Sequence, residues 1–270
     1  MKLLFVLYSF VLYNCVKSDE ECDGFTIDGV YYSKEVLKAD IAPLSLATDH
    51  GTNTLYFSFE DPNAGDKVIT ARLNLITREY STIDIEDGMT QTVDQKTHNV
   101  YIGTSKGVYK YDSSTDKAEF YGAEEFDLWS VYFKDSLYII TYPYEFLYVF
   151  KDGRAVREKS FEDFKVNGLV KDETGEVVFV NVTGIYRTVN NDTVLLKEDG
   201  NVRNIVTDVR GNVYVVLTDG EVLKVSSNDL IKVATIDEVR NIAFDKDNNI
   251  IMSNASSIML LMPGDKNCND

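Results

Sequence analysis

The chain has 270 residues, 44% of them hydrophobic, and its 44 acidic residues outnumber 27 basic ones to give a net charge of −17. This length suits one large all-β domain with its own core, and four prolines leave no obvious linker. The negative charge disfavours binding to nucleic acid or to anionic lipid surfaces, because like charges repel.

The first eighteen residues predict a cleaved secretory signal. Lys2 precedes the apolar run 3–13, and small or β-branched residues around Ser18 suit a signal peptidase. The run is too short to span a membrane, and no later stretch reaches eighteen apolar residues. We therefore expect residues 19–270 to form a single soluble, secreted, extracellular domain. A buried N-terminal strand is the alternative.

Two cysteines remain after the signal, because Cys15 lies inside it. Cys22 and Cys268 stand near opposite ends of the chain, and an isolated pair in an oxidising secretory route predicts a disulfide. A loop this long gives the bridge up to roughly 5 kcal/mol of stabilisation in the chain-entropy treatment. Two free thiols are the alternative.

One pattern recurs six times along the chain. A short apolar strand leads into a tight turn, usually opened by Asp, and a second strand rich in Val, Ile and Tyr follows. The turn aspartates are Asp49, Asp94, Asp135, Asp172, Asp208 and Asp245. Their separations of 45, 41, 37, 36 and 37 residues match the period of a four-stranded propeller blade.

Two more strands follow in each repeat, such as Gly107–Tyr111 and Ala118–Tyr121, with the alternation typical of half-buried antiparallel strands. The last repeat is incomplete after its third strand, Ile258–Met262, whereas Glu35–Ile41 resembles a missing outer strand. The sequence therefore predicts an all-β, six-bladed β-propeller of four-stranded antiparallel blades. An N-terminal strand closes the ring and removes two exposed sheet edges.

Three Asn-X-Ser/Thr sequons are candidates for N-glycosylation in a secreted protein. They begin at Asn181, Asn191 and Asn254.

The start of each inner strand lies at the mouth of the central channel, where we expect a pocket. Counting along the repeats predicts a first ring of Leu44, Met89, Leu128, Asn167, Arg203 and Arg240. The next position predicts a second ring of Ser45, Thr90, Trp129, Gly168, Asn204 and Asn241. Neither ring contains Asp, Glu, His or Cys.

That composition disfavours metal-dependent catalysis. Lactonase and esterase propellers hold a divalent cation on channel-lining carboxylates and amides, and only Asn167 resembles such a ligand. His50 and His98 fall at inner-strand turns away from the mouth, so we interpret them as solvated turn residues. No GxSxG, HExxH or phosphate-binding loop is present. We predict no metal, no cofactor and no catalytic residue.

Basic and aromatic residues remain at the predicted mouth. Arg203 and Arg240 hold equivalent positions in adjacent blades, and a guanidinium can donate two hydrogen bonds to a carboxylate or stack on a flat ring. Trp129, the only tryptophan, falls on the second ring, and Tyr142 and Tyr144 lie in a turn on the same rim. With Asn167, these residues predict a site for a planar anionic aromatic molecule.

Purely structural roles are alternatives for the same residues. Trp129 packs between blades in one of them, and in another the two arginines pair with Asp237 or Glu238. A metal-dependent hydrolase and an extracellular protein-interaction propeller remain alternative functions. We expect a monomer.

Three stretches resemble the ommochrome-binding proteins of moths and butterflies. They are CDGFTIDGVYYSKEVLKADI, VDQKTHNVYIGTSKGVYKYD and FYGAEEFDLWSVYFKDSLYIITYPYEFLYVFKDG. The resemblance runs over nearly all of the chain after the signal. It implies a haemolymph protein that binds ommochromes, which are tryptophan-derived phenoxazinone pigments carrying amino-acid carboxylates. The resemblance assigns no pigment-contacting residue.

Overall fold

The computed structural model describes residues 24–61, 65, 67–151, 153–190, 192–198, 200–227 and 229–264. The described chain begins with a hairpin of β1 (Gly24–Ile27) and β2 (Val30–Ala39). Its turn places Asp28 and Gly29 at positive φ, as a tight two-residue hairpin requires. The predicted signal, both cysteines of the predicted disulfide and Asn191 lie outside the described residues.

Five four-stranded repeats and a sixth repeat of three strands follow in chain order. Blade one contains β3 (Pro43–Asp49), β4 (Thr54–Asp61), β5 (Lys67–Asn74) and β6 (Tyr80–Ile83). Blade two contains β7 (Thr90–Asp94), β8 (Asn99–Thr104), β9 (Gly107–Asp112) and β10 (Lys117–Gly122). Blade three contains β11 (Asp127–Phe133), β12 (Leu137–Tyr142), β13 (Leu147–Lys151) and β14 (Arg154–Arg157).

A single 3₁₀ turn, Lys159–Phe161, leads into the second half of the ring. Blade four contains β15 (Gly168–Lys171), β16 (Val177–Asn181), β17 (Gly184–Val189) and β18 (Asp192–Lys197). Blade five contains β19 (Val202–Thr207), β20 (Val213–Leu217), β21 (Glu221–Val225) and β22 (Leu230–Thr235). Blade six contains β23 (Asn241–Phe244), β24 (Ile250–Ser253) and β25 (Ser257–Pro263), completed by β2.

The predicted six-bladed propeller is confirmed. Each sheet pairs antiparallel neighbours in the order of a meander, and each inner strand contacts the next, with β23 against β3 closing the ring. The core lies between blades as separate apolar clusters, such as Leu55, Phe57 and Leu73 against Ile251. No helix among the described residues is long and apolar enough to cross a membrane.

The N-terminal closure is confirmed with different bounds. The outer strand of blade six is Val30–Ala39 rather than 35–41, and it pairs with β25 from Tyr32↔Pro263 to Ala39↔Ser257. Asp40 has φ 60°, which ends the strand, and the Ile41 N–H donates to Ser256 O beyond it. The strand β1 adds a fifth member to this sheet that the repeat pattern did not predict.

Each repeated aspartate closes its inner turn, except in blade three. Asp49, Asp94, Asp172, Asp208 and Asp245 are buried, and one carboxylate oxygen of each accepts a backbone N–H two residues ahead. This side-chain turn explains why the spacing of these aspartates identifies the blades. Blade three has a shorter turn through Lys134 and Asp135.

Candidate functional site

Each inner strand carries one extra residue at the mouth of the channel. In blades one, three and five the ladder shifts around Leu44, Trp129 and Arg203, as at a β-bulge. In the other blades, the N–H of Met89, Asn167 or Arg240 donates to the carbonyl of the residue that already pairs with the next position. The extra residue is therefore a structural feature of all six blades.

Blade three differs from the sequence alignment by one residue. Trp129, not Leu128, is the bulged residue, so Trp129 belongs to the first ring with the other five. Leu128 is only 1% exposed and packs with Val131 and Leu137 in the core between blades two and three. The shortened turn of this blade hid the offset. We call the corrected set the mouth ring: Leu44, Met89, Trp129, Asn167, Arg203 and Arg240.

The channel behind the mouth ring encloses about 630 Å³. Its lining includes Leu44, Met89, Trp129, Asn167 and Arg203, and blade six contributes Asn241, so the structure brings all six blades together around one cavity. Three predicted site residues do not line this cavity, and they stand on the rim instead: Arg240, Tyr142 and Tyr144.

Trp129 is held in place but remains accessible. Its indole Nε1 donates to Asn167 O at 3.1 Å, and the Tyr142 ring lies nearly parallel to it with centroids 6.2 Å apart. The Asn167 side chain in turn donates to Glu145 Oε1 at 2.7 Å. Trp129 is 48% exposed, so it does not simply pack between blades. A flat exposed ring with fixed orientation is suited to stacking on a planar ligand.

Tyr144 belongs to a neighbouring aromatic group on the rim of blade three. Its exposed ring stacks on Phe146 at 5.7 Å, and the Arg157 guanidinium lies 3.9 Å from the other ring centroid. Tyr144 is therefore positioned through Phe146 rather than through Trp129.

The two arginines of the mouth ring have no side-chain partner among the described residues. Arg203 is exposed and Arg240 is half-buried, and neither guanidinium forms a hydrogen bond or ion pair within the described part of the chain. Pairing of Arg240 with Asp237 or Glu238 is thus not realised, although both acidic residues precede it closely. Two adjacent unpaired guanidiniums leave forked donors available to an acidic ligand.

Three polar side chains of the second ring already bond to a neighbouring blade. Ser45 Oγ donates to Met89 O of blade two, and Asn204 Oδ1 accepts the Ile242 N–H of blade six. Asn241 Nδ2 donates to Pro43 O of blade one, which helps to close the ring. These three side chains hold neighbouring blades together, so fewer polar groups are available to a ligand at this level than at the mouth ring.

Blades three and four are joined deeper in the channel by Tyr132. Its hydroxyl accepts the Lys171 N–H at 2.9 Å. Burial raises the pKa of Tyr132 to about 12, so the hydroxyl stays neutral.

The two histidines lie at the opposite end of the channel, as predicted, but they are not merely solvated. His98 Nδ1 lies 2.8 Å from Oδ1 of the buried Asp49 in the neighbouring blade. His50 Nε2 lies 3.1 Å from Phe244 O, and burial lowers the pKa of His50 despite that hydrogen bond. Both histidines link adjacent blades.

Across the residues that the structure describes, no group of three or more His, Cys, Asp or Glu side chains is placed to hold a metal ion. Of the sequon asparagines, Asn181 is only 7% exposed and its Nδ2 donates to Lys165 O, whereas Asn254 is half-buried in a turn of blade six. Sequon occupancy stays a prediction.

Comparison with known proteins identifies the family of this chain. No known protein-family profile matches the chain. A protein named ommochrome-binding protein from Manduca sexta is 32% identical to it over 221 residues, which cover 79% of each sequence. The chain belongs to the ommochrome-binding protein family.

Solved structures similar to this family member share its fold at low sequence identity. A gluconolactonase from Xanthomonas campestris is 12% identical, with a TM-score of 0.66 over 90% of this chain and 96% of its own. A streptogramin B lyase is 9% identical, with a TM-score of 0.57 over 86% and 98%. The WD40 β-propeller domain of Doa1 is 10% identical, with a TM-score of 0.60 over 92% and 99%. These likenesses concern the fold alone.

Proposed function

We propose that this protein is a secreted, non-catalytic carrier that binds an ommochrome-type pigment at the mouth of its channel. The observation that carries the proposal is the mouth ring, which combines an exposed, oriented tryptophan with unpaired arginines in a member of the ommochrome-binding family. A tryptophan-derived phenoxazinone has a flat ring system and carboxylates, and those are the two features that such a mouth recognises.

In this proposal each residue has a distinct part. Trp129 and Tyr142 stack on the ring system, and Tyr144 extends that surface along the rim. Arg203 donates to a carboxylate from the channel wall, and Arg240 does so from the next blade. Asn167 acts mainly by fixing Trp129 through its carbonyl. Secretion into haemolymph, glycosylation at Asn254 and a monomeric state belong to the same proposal.

Binding is tested by titrating the protein at micromolar concentration with xanthommatin while recording tryptophan fluorescence. Trp129 is the only tryptophan, so quenching reports the mouth directly. We expect saturable quenching with a shift in the pigment spectrum, and N-acetyltryptophanamide corrects for light absorbed by the pigment. The proposal would be contradicted if the pigment caused no quenching of tryptophan fluorescence and showed no shift in its own absorption spectrum.

The arginines supply the matched variants. Arg203→Ala and Arg240→Ala should each weaken pigment binding about tenfold, because a charge-assisted hydrogen bond contributes roughly 1.5–3 kcal/mol. Arg210→Ala is the control, since Arg210 lies in the inner turn of the same blade at the opposite end of the channel. Equal loss in all three variants would remove the mouth arginines from the site.

The hydrolase alternative gives a different result in the same preparation. It requires bound calcium or zinc in the purified protein and lactone or ester hydrolysis that a chelator abolishes. Pigment binding that survives chelation, without hydrolysis, supports the carrier.

A further inference from the structure

The mouth ring is divided into an apolar half and a polar half. Blades one to three contribute the apolar half, which consists of Leu44, Met89 and Trp129. Blades four to six contribute the polar half, which consists of Asn167, Arg203 and Arg240. In a closed ring of six blades each blade faces the third one along, so Met89 faces Arg203 and Trp129 faces Arg240.

Leu44 and Met89 are large apolar residues whose side chains are partly exposed to solvent. Each is 36% exposed at the channel mouth, where neither contributes to an apolar core cluster. Exposed apolar side chains that border a cavity beside fixed polar groups are typical of ligand sites.

The apolar half is also pre-organised. Ser45 Oγ and Ser58 Oγ both donate to Met89 O, at 3.1 and 2.5 Å, so the backbone of Met89 is fixed beside blade one. Trp129 is fixed by its bond to Asn167 O. A flexible methionine side chain on a fixed backbone adapts to the outline of a ring system without losing its position.

We propose that the ligand lies across the mouth in one orientation, with its ring system on Leu44, Met89 and Trp129 and its carboxylates on Arg203 and Arg240. This inference rests on the proposed function and adds Leu44 and Met89 as specificity-determining residues. It selects a class of ligand: fused-ring aromatic acids that combine an apolar ring system with at least one carboxylate. A single-ring amino acid reaches only one half of the mouth and binds more weakly.

The experiment compares two ligands with matched variants. Xanthommatin carries carboxylates on a phenoxazinone system, and unsubstituted 3H-phenoxazin-3-one has the phenoxazinone ring without any acidic group. Leu44→Asp and Met89→Asp should weaken both ligands about tenfold, because they lose an apolar contact of roughly 1.5 kcal/mol and place a charge under the rings. Arg203→Ala should weaken xanthommatin and leave 3H-phenoxazin-3-one, which has no charge for Arg203 to bind, within twofold.

Controls keep the result interpretable. Ile76 lies exposed in a turn of blade one, at the opposite end of the channel from the mouth. The Ile76→Asp variant should therefore leave the affinities for both ligands unchanged. Leu44→Gln, which keeps the length of the side chain without a charge, replaces Leu44→Asp if that variant does not give the circular dichroism spectrum of the unchanged protein.

The ligand orientation and the carrier function can be disproved separately. If the unchanged protein quenches with xanthommatin but the Leu44 and Met89 variants bind both ligands within twofold of it, the orientation is wrong and the carrier stands. Equal weakening of both ligands by Arg203→Ala also overturns the orientation. If the unchanged protein binds neither ligand, the proposed function and the orientation fall together.

Discussion

At the scale of single residues, the repeated turn aspartate makes different second contacts in different blades. Asp49 caps its own turn and also meets His98 of the next blade. Asp172 caps an equivalent turn but meets Arg187, which also bonds to Ser226 O and Ser227 O of blade five. The repeated aspartate therefore sets the turn, and its second contacts connect the blades.

His50 should make the protein less stable in mild acid. Burial holds the folded-state pKa of His50 below its ordinary value of 6.5, while Asp49 and Asp245 only partly oppose that shift. Below pH 6.5 the unfolded chain therefore binds a proton at this site more readily than the folded protein does. Stability falls as the pH drops from 6.5 towards the lower folded pKa, and this contribution changes no further below it.

Urea unfolding at pH 7.5 and 5.5, followed by Trp129 fluorescence, measures this effect. The unchanged protein should lose more stability over that interval than His50→Gln, which cannot titrate there. An equal loss in both proteins would assign the acid sensitivity to other groups.

At the scale of elements, the strand bounds followed closely from the sequence, whereas the register of blade three did not. The strands predicted at Gly107–Tyr111 and Ala118–Tyr121 are Gly107–Asp112 and Lys117–Gly122 in the structure, so each bound is right to within one residue. The bulge at Trp129 offsets blade three by one residue from the sequence alignment. The alignment missed it because a bulged residue is identified by its hydrogen bonds and not by its residue type. A one-residue shift moved a tryptophan into the mouth and a leucine into the core.

The strand β2 should be essential, whereas β1 should not. β2 covers the edge of β25, and its Leu37 and Tyr32 pack on two of the apolar clusters. A chain that begins at Val30 should still unfold cooperatively, although it loses β1 and the bond from Asp28 N–H to Val233 O. A chain that begins at Asp40 exposes the β25 edge and should aggregate or unfold.

Size-exclusion chromatography and urea unfolding distinguish these two truncations. Both lack Cys22, and both are compared in reductant, so disulfide chemistry is the same in each. A monomeric Asp40 form with the unfolding midpoint of the Val30 form would contradict the role given to β2.

At the scale of the whole molecule, the ring is closed by local bonds that differ from one junction to the next. Ser45, Tyr132, Asn204 and Asn241 each bond to the following blade from the channel side. The ring therefore does not depend on one repeated contact.

The predicted Cys22–Cys268 disulfide is expected to add to this closure. Gly24 and Met262 pair with Ser33 from opposite sides, so the segments that lead to the two cysteines start two strand spacings apart. Alkylation without reductant, followed by mass spectrometry, should find neither thiol of the secreted protein modified. Reduction should lower the midpoint of thermal unfolding, and alkylation of both thiols before reduction would contradict the bridge.

The sequence alone determined the propeller, the number of blades and the N-terminal closure, because a period of about forty residues and alternating strands constrain the chain locally. It also identified Trp129, Arg203 and Arg240 as residues near the mouth. Only the tertiary structure decided which side chains are free there. The bulges define the mouth ring, and bonds between blades occupy Ser45, Asn204 and Asn241 of the second ring. Leu44, Met89 and Trp129 face the polar half of the mouth ring across the channel. Repeats that are distant in the sequence face each other only once the ring has closed.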